Sequence, residues 1–176
     1  MDRDDAPSAP VTLLTPRLRL RPRHAGDAGL HHTLWTERDP RVAAHRRIGP
    51  DGRPTVADLE DQIRRDDTTP APGLLVVERR DTAAALGYCG LVANSADPTG
   101  APELAYEFLR ATWGHGYATE AAAAVVERAR APSLVATVRS WNTPSLRVLV
   151  KLGFVDTGER ERDVVHGDSL RWQKVL

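Results

Sequence analysis

Trp113-Gly114-His115-Gly116-Tyr117-Ala118-Thr119-Glu120 is the segment best suited to chemistry, because two glycines stand just ahead of an alanine-rich run. Glycine reaches backbone angles that are unfavourable for other residues and keeps side chains out of the way. The first turn of a helix leaves amide N–H groups unpaired at its positive end, so a phosphate or pyrophosphate can be held there. A tight strand-to-helix joint with no ligand gives the same pattern, and spacing alone does not separate the two. A dinucleotide fold would want a third glycine where Thr119 stands, and no Lys-Ser/Thr follows the glycines as in a phosphate-binding loop.

Upstream, Glu103 and Glu107 share strand parity in Glu103-Leu104-Ala105-Tyr106-Glu107-Phe108, which leads into the glycine turn. A carboxylate in a partly buried cleft can serve as a general base. A solvated edge charge is the alternative for Glu107. Among the histidines, His31 and His32 are adjacent and the others are scattered, with no His-x-x-x-His pair and a single cysteine, Cys89. Metal binding is therefore not expected. His31, His32, Trp35 and Arg38 read as walls of a site or as ordinary surface residues. Cys89 lies in Leu86-Gly87-Tyr88-Cys89-Gly90-Leu91-Val92 and reads as a small buried strand residue.

Positioning these groups requires a framework, and the chain supplies one. Alternation predicts a strand over Leu18–Arg21, and apolar periodicity predicts a helix over Asp27–Arg38. Thr55 and Asp58 form a capping signal for a short helix carrying Val56, Leu59 and Ile63. A turn is expected over Asp66–Pro72, and strands over Leu74–Glu78, Ala85–Val92 and Leu104–Leu109. The longest helix is expected over residues 114–130, rich in alanine. A strand over Leu134–Arg139 leads to a helix over Pro144–Leu152, with Asn142 or Thr143 as cap and Gly153 as stop. Phe154–Glu161 and Ser169–Val175 read as a closing antiparallel pair. The order implies an α/β fold with a mixed, mainly antiparallel sheet and helices on both faces. Residues 1–10 read as a flexible tail, and residues 11–176 as one domain.

Bulk properties exclude several classes. The 24 basic and 24 acidic side chains cancel, and Lys151 and Lys174 are the only lysines, so no nucleic-acid partner is expected. The longest nonpolar run, Ala121–Val126, is far short of a membrane span. Met1-Asp2-Arg3-Asp4-Asp5 precedes no apolar stretch, so a signal peptide is not expected and a cytoplasmic location is.

Four segments together resemble the GCN5-related N-acetyltransferases (GNAT), and more narrowly the bacterial branch that acetylates ribosomal-protein N-termini. They are Thr15-Pro16-Arg17-Leu18-Arg19-Leu20-Arg21, Leu86 through Leu91, Trp113 through Glu120, and Asn142-Thr143-Pro144-Ser145-Leu146 running into Lys151-Leu152-Gly153-Phe154. The resemblance implies a splayed sheet with acetyl-CoA in the cleft between its two central strands, and CoA as product. The usual Gln/Arg-x-x-Gly-x-Gly/Ala pattern is met by Gly116 and Ala118, while Trp113 stands at the basic or amide position; His115 or Arg110 could compensate. Implied cofactor-binding positions are Phe108, Leu109, Trp113, Gly114, His115, Gly116, Tyr117, Ala118, Thr119, Asn142, Ser145 and Lys151. Many relatives carry a Tyr where this chain has Leu149; the resemblance to the closer branch suggests Ser145 as the candidate proton donor, an ordinary first-turn serine being the alternative. Glu107 is the candidate base, with Glu103 as substitute, and His31, Trp35, Glu103 and Glu107 are candidate acceptor contacts. The short connection between Arg128 and Leu134 implies that the long helix ends earlier than in relatives.

The acceptor would be a primary amine of a small molecule or a protein, attacking directly in a ternary complex. Deprotonating a lysine-type amine at pH 7 costs roughly 4.6 kcal/mol, and a protein α-amine only about 1 kcal/mol. An N-terminal amine thus needs only a weak base. A non-catalytic CoA-binding or regulatory protein on the same fold is the alternative. Pairing into a homodimer is left open.

Overall fold

The computed structural model describes residues 12–66, 73–94 and 99–176. The tail expected over residues 1–10 and nearly all of the turn expected over 66–72 lie outside them. Eight strands form one sheet in the order β1-β2-β3-β4-β5-β6-β8-β7. They are β1 (Leu13–Leu14), β2 (Leu18–Pro22), β3 (Gly73–Arg79), β4 (Ala85–Val92), β5 (Glu103–Phe108), β6 (Ser133–Arg139), β7 (Val155–Glu161) and β8 (Ser169–Val175). Every neighbouring pair is antiparallel except β5–β6. The helices are α1 (Ala28–Thr36), α2 (Val56–Asp66), α3 (Tyr117–Arg128) and α4 (Thr143–Lys151).

Strand alternation sorts side chains to two faces. Leu18, Leu20, Leu75, Val77, Cys89, Leu91, Leu104 and Phe108 fall on one face, and they form the main core with Ala121, Ala122 and Val125 of α3 and Leu149 of α4. Cys89 is fully buried there, as expected, and burial pushes its thiol up. The opposite face carries α1 and α2. Ala28, Leu59 and Ile63 form a smaller cluster between them, and His31 stacks on Tyr88 with ring centroids 5.2 Å apart. The start of α1 is pinned by a half-buried ion cluster: Arg21 grips Asp27 at 2.7 and 2.9 Å and Glu78 at 2.7 Å.

Local signals act as expected at several ends. Asp58 Oδ2 accepts from the Thr55 amide at 2.8 Å, and Thr55 Oγ1 from the Asp58 amide at 3.2 Å, closing the capping box of α2. Asn142 Oδ1 accepts from the Ser145 amide at 3.3 Å and caps α4; Gly153, at φ 78°, stops it. The helix expected over 114–130 is shorter at both ends. Gly114 and Gly116 sit at φ 80° and 78°, in the left-handed region, so helical geometry begins only at Tyr117. At the other end Ala129 turns to an extended ψ of 142°. The expected closing pair forms, but β8 inserts between β6 and β7.

Candidate active site

The parallel junction of β5 and β6 is a fork. Only Glu103 and Val135 are paired across it, while β6 is zipped to β8 along its whole length on the other edge. Val135 donates to the Pro102 carbonyl at 3.0 Å. Two residues on, the Thr137 amide meets the Glu103 carboxylate at 3.2 Å instead of strand backbone. The other carboxylate oxygen of Glu103 accepts from Asn94 at 3.0 Å. Glu103, read from sequence as a substitute base, is thus a wedge at the apex of the fork. Beyond it the two strands diverge towards Phe108 and Arg139.

At the wide end of the fork lies the glycine turn. Gly116 is the N-cap of α3, and no side chain caps this helix. The first helical bond runs from Glu120 to the Gly116 carbonyl, so the amides of Tyr117, Ala118 and Thr119 have no acceptor within the helix. A Cβ built on Gly114 would meet nothing within 4 Å, so open space adjoins the turn. This end suits an anionic diphosphate. Trp113 is half-exposed, and its indole N–H donates to the Phe108 carbonyl at 2.7 Å. His115 Nδ1 donates to the Trp113 carbonyl, 2.9 Å away, and its ring stacks on Tyr117. The Leu109 amide is used on the Leu86 carbonyl at 2.9 Å, and Phe108 is a core side chain. Lys151 projects from the exposed last turn of α4.

Adjacent residues of β5 face opposite ways, and this separates the two candidate catalytic groups. On the α1 side, the Arg38 guanidinium holds Glu107 by two bonds of 2.7 and 2.6 Å, and the Tyr88 hydroxyl donates to the same carboxylate at 2.9 Å. The Glu107 side chain is 20% exposed, which rules out a solvated edge charge. On the α4 side, Tyr106 meets Ser145, hydroxyl to hydroxyl at 2.8 Å, and is 3.1 Å from the Ser145 carbonyl. Burial pushes the Tyr106 phenol up to about 12, so it stays a donor at neutral pH. Leu149 is fully buried and brings no hydroxyl to the fork. Asn142 uses its oxygen as a cap, and its amide nitrogen has no protein partner among the described residues.

Between α1, α2 and the sheet lies a cavity of about 130 Å³, lined in part by His31, Trp35, Arg38, Gln62 and Tyr88. His31 and Trp35 thus meet the two residues that hold Glu107. Arg38 also lies 4.3 Å over the Trp35 ring. A strap crosses from the loop after α1 to the β7–β8 loop: Arg41 lies 4.2 Å over the Trp141 ring, and His166 Nδ1 is 3.1 Å from the Arg41 carbonyl. Trp141 donates to the His166 carbonyl at 2.8 Å.

His31 is 5% exposed, and its Nε2 is buried with no partner among the described residues. Burial, aided by the Arg23 charge, pushes its imidazole down to about 4. The ring is therefore neutral when folded and cationic when unfolded across roughly pH 4 to 6.5. The stability this neutrality supports is complete above the unfolded value and lost as pH falls towards the folded one. Comparing urea midpoints at pH 7.0 and 4.5 should show the wild type losing about 2 kcal/mol more than His31→Phe.

To Glu107 and Ser145, the candidates read from the sequence, the structure adds their neighbours Tyr88 and Tyr106. The parity of Tyr106 beside Glu107 already put it on the opposite face of the strand; only the partner on α4 was invisible. Among the described residues no three His, Cys, Asp or Glu side chains cluster to hold a metal, and no helix is long and apolar enough to cross a membrane.

Comparison with known proteins gives this geometry a family. The acetyltransferase (GNAT) domain matches residues 17–155. The protein YkkB of Bacillus subtilis strain 168 is 30% identical over 151 residues, covering 83% of this chain and 86% of its own. Among solved structures, RimL, a ribosomal L7/L12 α-N-protein acetyltransferase in complex with CoA, superposes with a TM-score of 0.73 at 14% identity, covering 93% of this chain and 97% of its own. SpeG spermidine N-acetyltransferase from Vibrio cholerae superposes with a TM-score of 0.72 at 18% identity, covering 92% and 95%. The fork, the uncapped glycine turn and these matches agree: the chain belongs to the GNAT acetyltransferase family and is an acetyl-CoA-dependent N-acetyltransferase.

Proposed function

We propose that this chain works in the cytoplasm, with residues 11–176 acting as one unit, and acetylates an α-amine of a protein N-terminus or an amino-acid-like molecule. The fork with the glycine turn at its mouth carries this reading. Acetyl-CoA supplies an activated thioester; the amides of Tyr117, Ala118 and Thr119 hold its diphosphate, and Asn142 and Ser145 lie along its arm. The acceptor enters from the α1–α2 side and meets Glu107. Of about four lone-pair sites on that carboxylate, three accept from Arg38 and Tyr88, leaving one for a proton from the amine or an intervening water. On the far side of β5, Tyr106 holds the Ser145 hydroxyl, which would donate a hydrogen bond to the departing thiolate, whose negative charge is matched by the proton taken up at Glu107.

Two features favour an α-amine over a polyamine. His31 is held neutral with a depressed pKa, so it is a poor base, and among the described residues no carboxylate lines the cavity, Glu107 lying behind Arg38 and Tyr88. An amine that titrates near 7.8 needs about 3.5 kcal/mol less help than one near 10.4. Peptides with free N-termini, amino acids, aminoglycosides and spermidine, each assayed with acetyl-CoA for thiol release and product mass, test this. α-Amines should turn over fastest; preference for spermidine would overturn the acceptor class, and no turnover with CoA binding intact would indicate a binding protein. With the best acceptor, Ser145→Ala should lower kcat roughly 100-fold, and Glu107→Gln should act in the same direction, each with little change in affinity for CoA.

A further inference from the structure

The glycine turn is held by a residue from the opposite end of the chain. Arg17, in the turn between β1 and β2, donates from Nη1 to the His115 carbonyl at 2.9 Å. Its Nε and Nη2 reach Glu120 Oε2 at 2.7 and 2.6 Å, and its own amide donates to Glu120 Oε1 at 2.9 Å. The Thr15 hydroxyl donates to that same oxygen at 2.6 Å. The guanidinium lies 4.7 Å from the centre of the Tyr117 ring, and Nη2 would be 3.6 Å from a Cβ built on Gly116. One planar cation therefore ties the loop before Gly116 to the first turn of the helix after it.

Glu120 is the reason this matters. It lies in the first turn of α3, where a carboxylate is favoured by the helix end and would compete with any other anion there. Burial pushes its carboxyl up, but the Thr15 hydroxyl and the Arg17 amide and guanidinium outweigh this and keep it ionised. Its charge must be masked before a diphosphate can approach. We propose that Arg17 is a positioning residue for donor binding: it masks Glu120 and fixes the turn so that the amides of Tyr117, Ala118 and Thr119 converge on the diphosphate. Arg17 stands in function where the usual Gln/Arg of the turn is replaced by Trp113. This rests on the reading that the turn holds the diphosphate of acetyl-CoA.

The test compares two donors, acetyl-CoA and S-acetylpantetheine, which carries the same thioester without phosphates. Arg17→Ala should raise the KM for acetyl-CoA about 10- to 100-fold, the range expected when a binding group is misplaced, with kcat nearly unchanged. With S-acetylpantetheine the variant should match the wild type. Arg17→Lys keeps the charge without the planar fork and should fall between the two. Adding Glu120→Gln to Arg17→Ala should recover part of the loss, because the unmasked charge is gone. Equal losses with both donors would make Arg17 a general structural residue and overturn the proposal, as would an unchanged KM for acetyl-CoA. If instead the wild-type protein used both donors with the same KM, the diphosphate reading itself would fall, whatever Arg17 did.

Discussion

Replacing Arg38 with methionine should destabilise the protein by about 3 kcal/mol, because Glu107 is left as a half-buried charge without its counter-ion. For a chain of this size that is a fall in Tm of about 6–12 °C. The asymmetry of buried ion pairs sharpens the test. Removing both charges with Arg38→Met and Glu107→Leu should bring stability back to within about 1 kcal/mol of wild type, since no unpaired charge remains. Thermal melts of the wild type, both single variants and the double variant give the coupling directly. If the double variant were as unstable as Arg38→Met alone, packing rather than charge would explain the loss. Activity should separate from stability here: the double variant should fold and bind CoA, yet turn over poorly for want of the carboxylate.

Gly87→Ala should do comparable damage by a different route. A Cβ on Gly87 would lie 2.1 Å from the Glu107 carbonyl and 2.8 Å from the Phe108 Cα. Both are backbone atoms of β5, so no flexible side chain can move aside, and the two strands must separate. The expected loss is roughly 3 kcal/mol, at the upper end for overpacking. Because the displaced residues are the ones that set Glu107 and lead into the glycine turn, catalysis should fall further than the folded fraction explains. Urea denaturation with kcat measured at the same temperature checks both halves; a variant with wild-type stability would show that the strands can part without strain. A Cβ on the neighbouring Gly90 would crowd β3 in the same way, 2.0 Å from the Gly73 carbonyl oxygen. The spacing Leu86-Gly87-Tyr88-Cys89-Gly90-Leu91 thus has a physical meaning, with one glycine at the contact with each flanking strand.

What could be read from the residues was local. Asn142, Thr143 and Pro144 announced a helix start, Thr55 and Asp58 a capping box, and Gly114 and Gly116 a turn opening a helix. Each depends on groups a few positions apart, and the two caps have the expected backbone partners. Alternation also sorted Cys89 to the core and put Glu103 and Glu107 on one face of their strand. The features that were not legible join distant parts of the chain. Nothing near Glu107 reveals that Arg38 will grip it, and Arg17 meets Glu120 only because β2 lies across α3. The wedge duty of Glu103 depends on where β6 stops pairing with β5, which no periodicity encodes. The two-residue β1 is too short to leave a pattern. Resemblance to a family supplied the fork; the side chains that furnish it came from the structure.

The strap of Arg41, Trp141 and His166 changes what kind of opening the fork is. Glu107 ties the end of β5 to Arg38, and three residues later Arg41 reaches Trp141, two residues beyond β6. The notch between the strands is therefore bridged on the acceptor side and becomes an eyelet, bounded by two strands, a helix end and an aromatic crossbar. A globular surface cannot be lowered into an eyelet, but a thread can pass through it. The expected consequence is that an amine carried on a slender tip turns over faster than one set in a broad surface.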